Sequence, residues 1–382
     1  MSEAAAKPAR DLRLDFFRGL SLFFIFVDHI PNNIASYVTL RSFALSDAAD
    51  VFIFISGYTA ALVYGRAIGR DGVLLTSARI YRRAWQLYVA HLCVFLLYSA
   101  EVAYTVDHFN NPMFADELGA GDFLIHPEMT LIRVLTLQFQ PALLDILPLY
   151  IALLVAFPLF LLAMRRHALL ALVPSLLLWG AVHLWGINLP GYPEGRNWFF
   201  NPFAWQLLFV LGALFGYHAG QGRALVPTPR WSIWLAGTIA IAAMLIELSW
   251  TWHDVFAWIP TILHRALWPV EKSTLPLLRV VNMLALALLA ATLVPREARF
   301  MHGRIGWLIV LCGRRSLEIF CLTIVLSMLG TIVLSVVGNA VPAQLAVDLA
   351  GTAAMLGLGL LMAWFDGGGH LPSRHGMEKG AG

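Results

Sequence analysis

The sequence predicts an all-α, polytopic integral membrane helix bundle of about ten spans with both termini in the cytoplasm. Three observations carry that expectation. First, 59% of the 382 residues are hydrophobic and 13% are charged, against about 45–50% and about 25% in ordinary soluble domains. Second, the apolar residues gather in runs of about 20, the length a spanning helix needs, rather than in the short alternating segments of a barrel. Third, lysine and arginine sit in alternate loops, as they do when cationic loops stay in the cytoplasm.

The runs lie near 16–34, 48–65, 84–104, 143–164, 168–187, 203–220, 231–250, 275–294, 315–337 and 344–365. The stretches between them are too short for a soluble domain, so residues 1–382 read as one membrane-embedded domain with short disordered tails at about 1–10 and 367–382. With the N-terminus inside, 20 of the 26 Lys and Arg fall on the cytoplasmic side. Only Arg41, Arg133, Arg196, Arg265, Lys272 and Arg279 fall outside. The stretch 105–128, with Asp107, Asp116, Glu117, Asp122 and Glu128, is acidic and suits the outer side. The N-terminal apolar stretch is short and runs into Asp28-His29 without a small-residue cleavage signal, so it reads as a retained first span.

A net charge of +3, with no basic stretch interleaved with stacking aromatics, argues against nucleic-acid binding. Cys93, Cys312 and Cys321 have neither paired nor metal-ligand spacing; they read as core packing, and no metal site is expected. No phosphate-binding glycine loop, nucleophile elbow or zinc-protease motif is present. Chemistry, if any, rests on a histidine and carboxylates.

Polar groups inside spans are expensive and mark cavities and function. In the first run, Arg18 and His29 are eleven residues apart, about 20° beyond three full turns, so they share a helix face about 16 Å apart along the axis. Asp28 points about 100° from its neighbour, and Pro31 breaks the backbone just beyond. Asp28 and His29 are either an acid–base pair at a break or solvated residues at a helix end. Asp47 or Asp50 caps the second run, and Asp50 is also a candidate partner for His29. Ser56 and Gly57 permit close helix packing.

Before the third run, Arg79, Arg82 and Arg83 form one cationic face, either a lipid anchor or a phosphate site. On the outer side Gln138, Gln140 and Asp145 stand at the entrance to the fourth run, and Trp198, Asn201, Trp205 and Gln206 mix aromatics with amides as sugar-binding surfaces do. His264, Glu271, Lys272, Arg279 and Asn282 lie at the eighth run. Arg314 and Glu318 are spaced for a local ion pair.

The segments "RLDFFRGLSLFFIFVDH", "DAADVFIFISGYTAAL", "QPALLDILPLYI", "FNPFAWQLLFVLGALFGY" and "EKSTLPLLRVVNMLALA" resemble, in that order and over about residues 11 to 320, the OpgC family within the acyltransferase 3 superfamily. The resemblance implies a ten-span bacterial inner-membrane succinyltransferase acting on osmoregulated periplasmic glucans. It implies acyl-CoA, succinyl-CoA in the founding case, as a cytoplasmic donor substrate, with no tightly bound cofactor, and a periplasmic glucan oligosaccharide as acceptor. By motif position His29 would be the catalytic histidine and Arg18 the arginine beneath it. Asp28 departs from the hydrophobic or aromatic residue common in the superfamily.

On this reading Arg18, Arg79, Arg82 and Arg83 hold the donor, and His29 acts as general base or forms an acyl intermediate. Asp28 or Asp50 supports its imidazolium. Asp145, Asn201, Trp205, Gln206, Lys272, Arg279 and Asn282 serve acceptor or oxyanion. Transfer to a different envelope glycan is the nearest alternative. A transporter would use the same intramembrane charges, but the chain shows no paired broken helices in matching halves.

Overall fold

The computed structural model describes residues 10–109, 121–223, 228–252 and 271–372, apart from the side chains of Phe109, Asp122 and Leu124. Asp116, Glu117, His264, Arg265, Lys7, Arg374 and Lys379, all used in the expectations above, lie outside the described residues, as does the side chain of Asp122.

The chain folds into helices α1 (Leu12–Asp28), α2 (Ala48–Asp71), α3 (Val73–Phe109), the short α4 (Gly121–Ile125) and α5 (Pro127–Leu135), then α6 (Ile146–Arg166), α7 (Ala168–Trp185), α8 (Pro202–Gly220), α9 (Arg230–Thr251), α10 (Leu277–Leu293), the short α11 (Arg299–His302), α12 (Arg304–Arg314), α13 (Ser316–Val337) and α14 (Val341–Asp366). Eight of them (α2, α3, α6, α7, α8, α9, α13, α14) are long and apolar enough to cross a membrane. Helices α1 and α10 occupy the other two expected positions with 17 residues each. At 1.5 Å per residue each reaches about 26 Å, short of the ~30 Å hydrocarbon layer. The protein is a multi-pass membrane helix bundle.

Two helix boundaries and one ion pair differ from expectation. α1 ends at Asp28 rather than near 34, because Pro31 has no N–H and disfavours helix in the residue before it. α3 starts at Val73, so Arg79, Arg82 and Arg83 lie on a helix rather than in a loop. Arg314 pairs with Asp15 at 3.6 Å rather than with Glu318, whose partner is Arg315 at 3.6 Å. Of the cysteines only Cys312 is buried; Cys93 is exposed.

α2 stands at the centre, packed on α1, α3, α6 and α8. Its contact with α8 is backbone-close: a Cβ at Gly57 would sit 2.0 Å from the Phe209 carbonyl oxygen, and one at Gly212 2.1 Å from that of Phe54. α1 meets α12 the same way at Gly19 and Gly313. Small residues here replace the solvent-driven force that helices lack in lipid. α1 is thereby enclosed by α2, α12, α13 and α14.

Candidate active site

The C-terminus of α1 is shaped by its proline. His29 N–H donates to the Ile25 carbonyl and Ile30 N–H to that of Val27 at 3.2 Å, which leaves the Phe26 carbonyl free. Ser327 on α13 donates its hydroxyl to that oxygen at 3.1 Å. Beyond the break, Asn33 caps the following turn at Ala35 and donates to Asp348 on α14 at 2.6 Å. The Ile34 N–H donates to Gln344 of the same helix at 2.7 Å. Two neighbouring helices thus grip the chain on both sides of His29.

His29 itself is partly buried, and its Nδ1 is buried without a partner. No hydrogen bond joins it to Asp28 or Asp50 among the described residues. The Asp28 carboxylate accepts instead from Thr39 at 2.7 Å, and the Asp28 carbonyl accepts from Arg41 at 3.4 Å. The charges within electrostatic reach of His29 are Lys272, Asp47 and Arg41. The acid–base pair, one of the two readings of Asp28 and His29, is therefore not formed: on the last turn of a regular helix the two side chains diverge, and the 34–42 segment supplies Asp28 with its own donor.

Of its two expected roles, Asp50 takes the capping one. Asp47 caps α2, accepting from Ala49, while the Asp50 carboxylate accepts from the Asp47 N–H at 2.8 Å, a reciprocal capping box. Arg279 on α10 forms an ion pair with Asp50 and a second with Asp47 at 3.1 Å. Lys272 pairs with Asp47 at 2.7 Å and lies over the Phe200 ring. Burial alone would raise the Asp47 carboxyl, but Lys272 and Arg279 hold it well below the usual carboxylate range. Two carboxylates and two cations close the balance, so Arg279 is not free to hold an acyl carboxylate; Lys272 is the more accessible cation. Asn282 accepts from the Ser46 N–H at 3.1 Å, and its Nδ2 is buried and unpartnered. Asp145 precedes α6, and burial pushes its carboxyl up to about 6.

Trp205 and Gln206 serve as scaffold rather than as an open sugar surface. The Trp205 indole donates to the Lys272 and Ser273 carbonyls, and Gln206 exchanges hydrogen bonds with Ser175 on α7. Asn201 caps α8 and donates to the Ile187 carbonyl at 2.7 Å. Hydrogen bonding inside the bundle satisfies these groups because they are buried there.

At the opposite end of the bundle, a cavity of about 1630 Å³ opens among α1, α2, α8, α9, α10 and α13. Arg10, Arg13, Arg18, Arg66, Arg83, Arg223 and Arg296 line it against two acids, Asp11 and Asp15. Arg10 takes Asp15, while Arg13 and Arg296 take Asp11. Arg18, Arg66, Arg83 and Arg223 have no carboxylate partner among the described residues. Arg18 donates to Thr59 at 2.6 Å, its Nε buried and without a partner among the described residues, and the lining continues beyond it to Phe52, Leu147 and Phe320. Arg79 and Arg82 lie off the cavity, Arg79 paired with Asp71 at the surface and Arg82 exposed. Leu22 and Ile25, on α1 between Arg18 and His29, are buried and do not line the cavity.

Among the described residues no cluster of His, Cys, Asp or Glu converges as a metal centre would.

A family profile described as OpgC protein matches residues 10–367. The chain belongs to the OpgC family. The match takes in both ends of the OpgC bundle described above, the arginine-lined cavity and the His29 end, together with the loops that join them. No curated protein and no solved structure matches the chain.

Several residues of this OpgC site went unread in the sequence. Asp348 carried a usable signal, a lone carboxylate inside an apolar run. Thr39, Thr59 and Ser327 carried none, since hydroxyls in apolar helices commonly bond their own backbone.

Proposed function

We propose that the chain is a membrane O-acyltransferase of the bacterial inner membrane. It moves an acyl group, succinyl by family resemblance, from cytoplasmic acyl-CoA to hydroxyls of a periplasmic glucan, with both termini in the cytoplasm. The observation that carries this reading is the cavity with four arginines that have no carboxylate partner among the described residues, one of them Arg18, on the same face of α1 as His29. Arginine forks match phosphate oxygens, so the cavity suits the phosphates of CoA. The seven cations that line it belong to the set the charge distribution assigns to the cytoplasm.

The acyl arm then rises through the cavity, whose lining runs on to Phe52 and Leu147, toward His29. At His29 a neutral imidazole, with Nδ1 unengaged, takes the proton of the attacking hydroxyl as its oxygen bonds to the thioester carbon. Collapse releases the CoA thiolate, which the proton ultimately neutralises. Neither Asp28 nor Asp50 orients the imidazole; the Ser327, Gln344 and Asp348 contacts hold its backbone instead.

The test is a transfer assay with purified protein in nanodiscs, labelled succinyl-CoA or acetyl-CoA, and a periplasmic glucan acceptor. The reading expects donor-dependent label on the glucan and free CoA in equal amount. Uptake of glucan without chemical change would overturn it.

A further inference from the structure

A second pocket, of about 360 Å³, lies on the His29 side of the bundle between the end of α7, the 188–201 segment and residues 271–274. Its walls are fixed. Trp198 N–H donates to the Leu189 carbonyl at 3.0 Å and Asn188 donates to the Trp198 carbonyl at 2.9 Å. The Asn201 N–H, donating to the Ser273 carbonyl at 3.1 Å, ties the two segments together.

The lining is chemically mixed. Phe199 is 49% exposed, its ring packed edge-to-face on Phe200 with centroids 5.0 Å apart. Asn197 is exposed and its side-chain amide makes no hydrogen bond among the described residues. Glu271 is exposed and accepts from the Ser273 hydroxyl, with Thr274 at 3.5 Å. Among the described residues no cation lines the pocket. An anionic ligand is therefore disfavoured, and an apolar one would strand the carboxylate and amide. What fits is a neutral ligand with an apolar face and several hydroxyls, in a space of about one hexose.

The pocket is also coupled to the His29 end. Lys272 stands between Glu271 and Ser273, and its ammonium turns to Asp47 at 2.7 Å. A ligand seated here lies one residue from a cation within electrostatic reach of His29.

We propose that this pocket is an acceptor subsite seating one neutral hexose, with Phe199 as the stacking platform and Asn197, Glu271 and Thr274 reading its hydroxyls. The proposal rests on the glycan-acceptor reading above and specifies where the acceptor is held. It moves the sugar contacts away from Trp205 and Gln206, which are internally satisfied, to residues whose groups are open.

The test is calorimetric titration of the full chain in nanodiscs with an unsubstituted β-glucan oligosaccharide, alongside the transfer assay. Wild type should bind saturably. Phe199→Ala should weaken binding roughly tenfold and Glu271→Gln several-fold, the scale of an aromatic anchor and its polar neighbours. Both positions are exposed, so thermal stability should stay at the wild-type value. Absence of saturable binding by wild type, or wild-type affinity in both variants, overturns the subsite. Saturable binding lost in the variants, with no transfer by wild type from any acyl-CoA, upholds the subsite and overturns the acyltransferase reading.

Discussion

Asp50 and Arg279 form an ion pair that links α2 to α10, with the Asp50 side chain fully shielded and that of Arg279 8% exposed. Removing one partner of such a pair leaves a buried charge and typically costs about 3–5 kcal/mol, whereas exchanging both for apolar residues costs far less. Asp50→Ala should therefore lower the thermal midpoint in detergent sharply, and Asp50→Leu with Arg279→Met should recover most of the loss. A catalytic carboxylate would behave differently: the double variant would fold and remain inactive for want of Asp50 rather than of stability.

Asp28 accepts a hydrogen bond from Thr39 and makes none with His29. Asparagine can accept the same bond through its carbonyl oxygen. Asp28→Asn should thus keep transfer within a few-fold of wild type, as read by initial rates at saturating donor. A loss of about a hundredfold or more would restore Asp28 as a partner of the imidazolium.

Asp145 supplies a pH dependence. Burial raises its folded-state pKa from the ordinary 3.8 to about 6. The folded state therefore binds this proton more tightly than the unfolded chain. The contribution is fully present below about pH 4 and is lost as pH rises through 6. At one unit per about 1.4 kcal/mol the loss is at most about 3 kcal/mol. Asp145→Asn should be more stable than wild type at pH 7.5, and the two should converge by pH 4, measured by thermal unfolding across that range.

The cavity separates arginines that look alike in sequence. Arg83 lines it and Arg82 is exposed away from it. Arg83→Ala should raise the KM for acyl-CoA roughly tenfold with little change in kcat, the pattern of lost ground-state binding. Arg82→Ala should leave both constants near wild type.

How legible all this was depends on range. The ten helical positions follow from apolar runs, because membrane length and internal backbone hydrogen bonding leave little else. The end of α1 follows from Pro31, and the capping of α2 from Asp47, both local effects. The pairing of Asp50 with Arg279 spans 229 positions and has no local signature. Arg79 and Arg83 share one helical stripe in the sequence; only the turn at Gly72, with φ of 82°, brings Asp71 back to Arg79 and leaves Arg83 to the cavity. Trp205 and Gln206 have the composition of a sugar surface, and burial alone tells scaffold from binding surface.

The clasp on the turn around His29 makes a further prediction. Asp348→Ala removes the acceptor for Asn33, while Asp348→Asn keeps an oxygen there. The alanine variant should lose kcat about tenfold or more with an unchanged KM for acyl-CoA, and the asparagine variant should regain most of it. Equal loss in both would make the contact merely structural.

The account turns on His29. The most direct measurement is the mass of periplasmic glucans from a producing strain whose own copy of this gene is deleted, complemented with wild type or with His29→Ala at equal membrane abundance. The account predicts acyl-mass additions with wild type and none with His29→Ala. Acyl additions at wild-type levels from the alanine variant would contradict it.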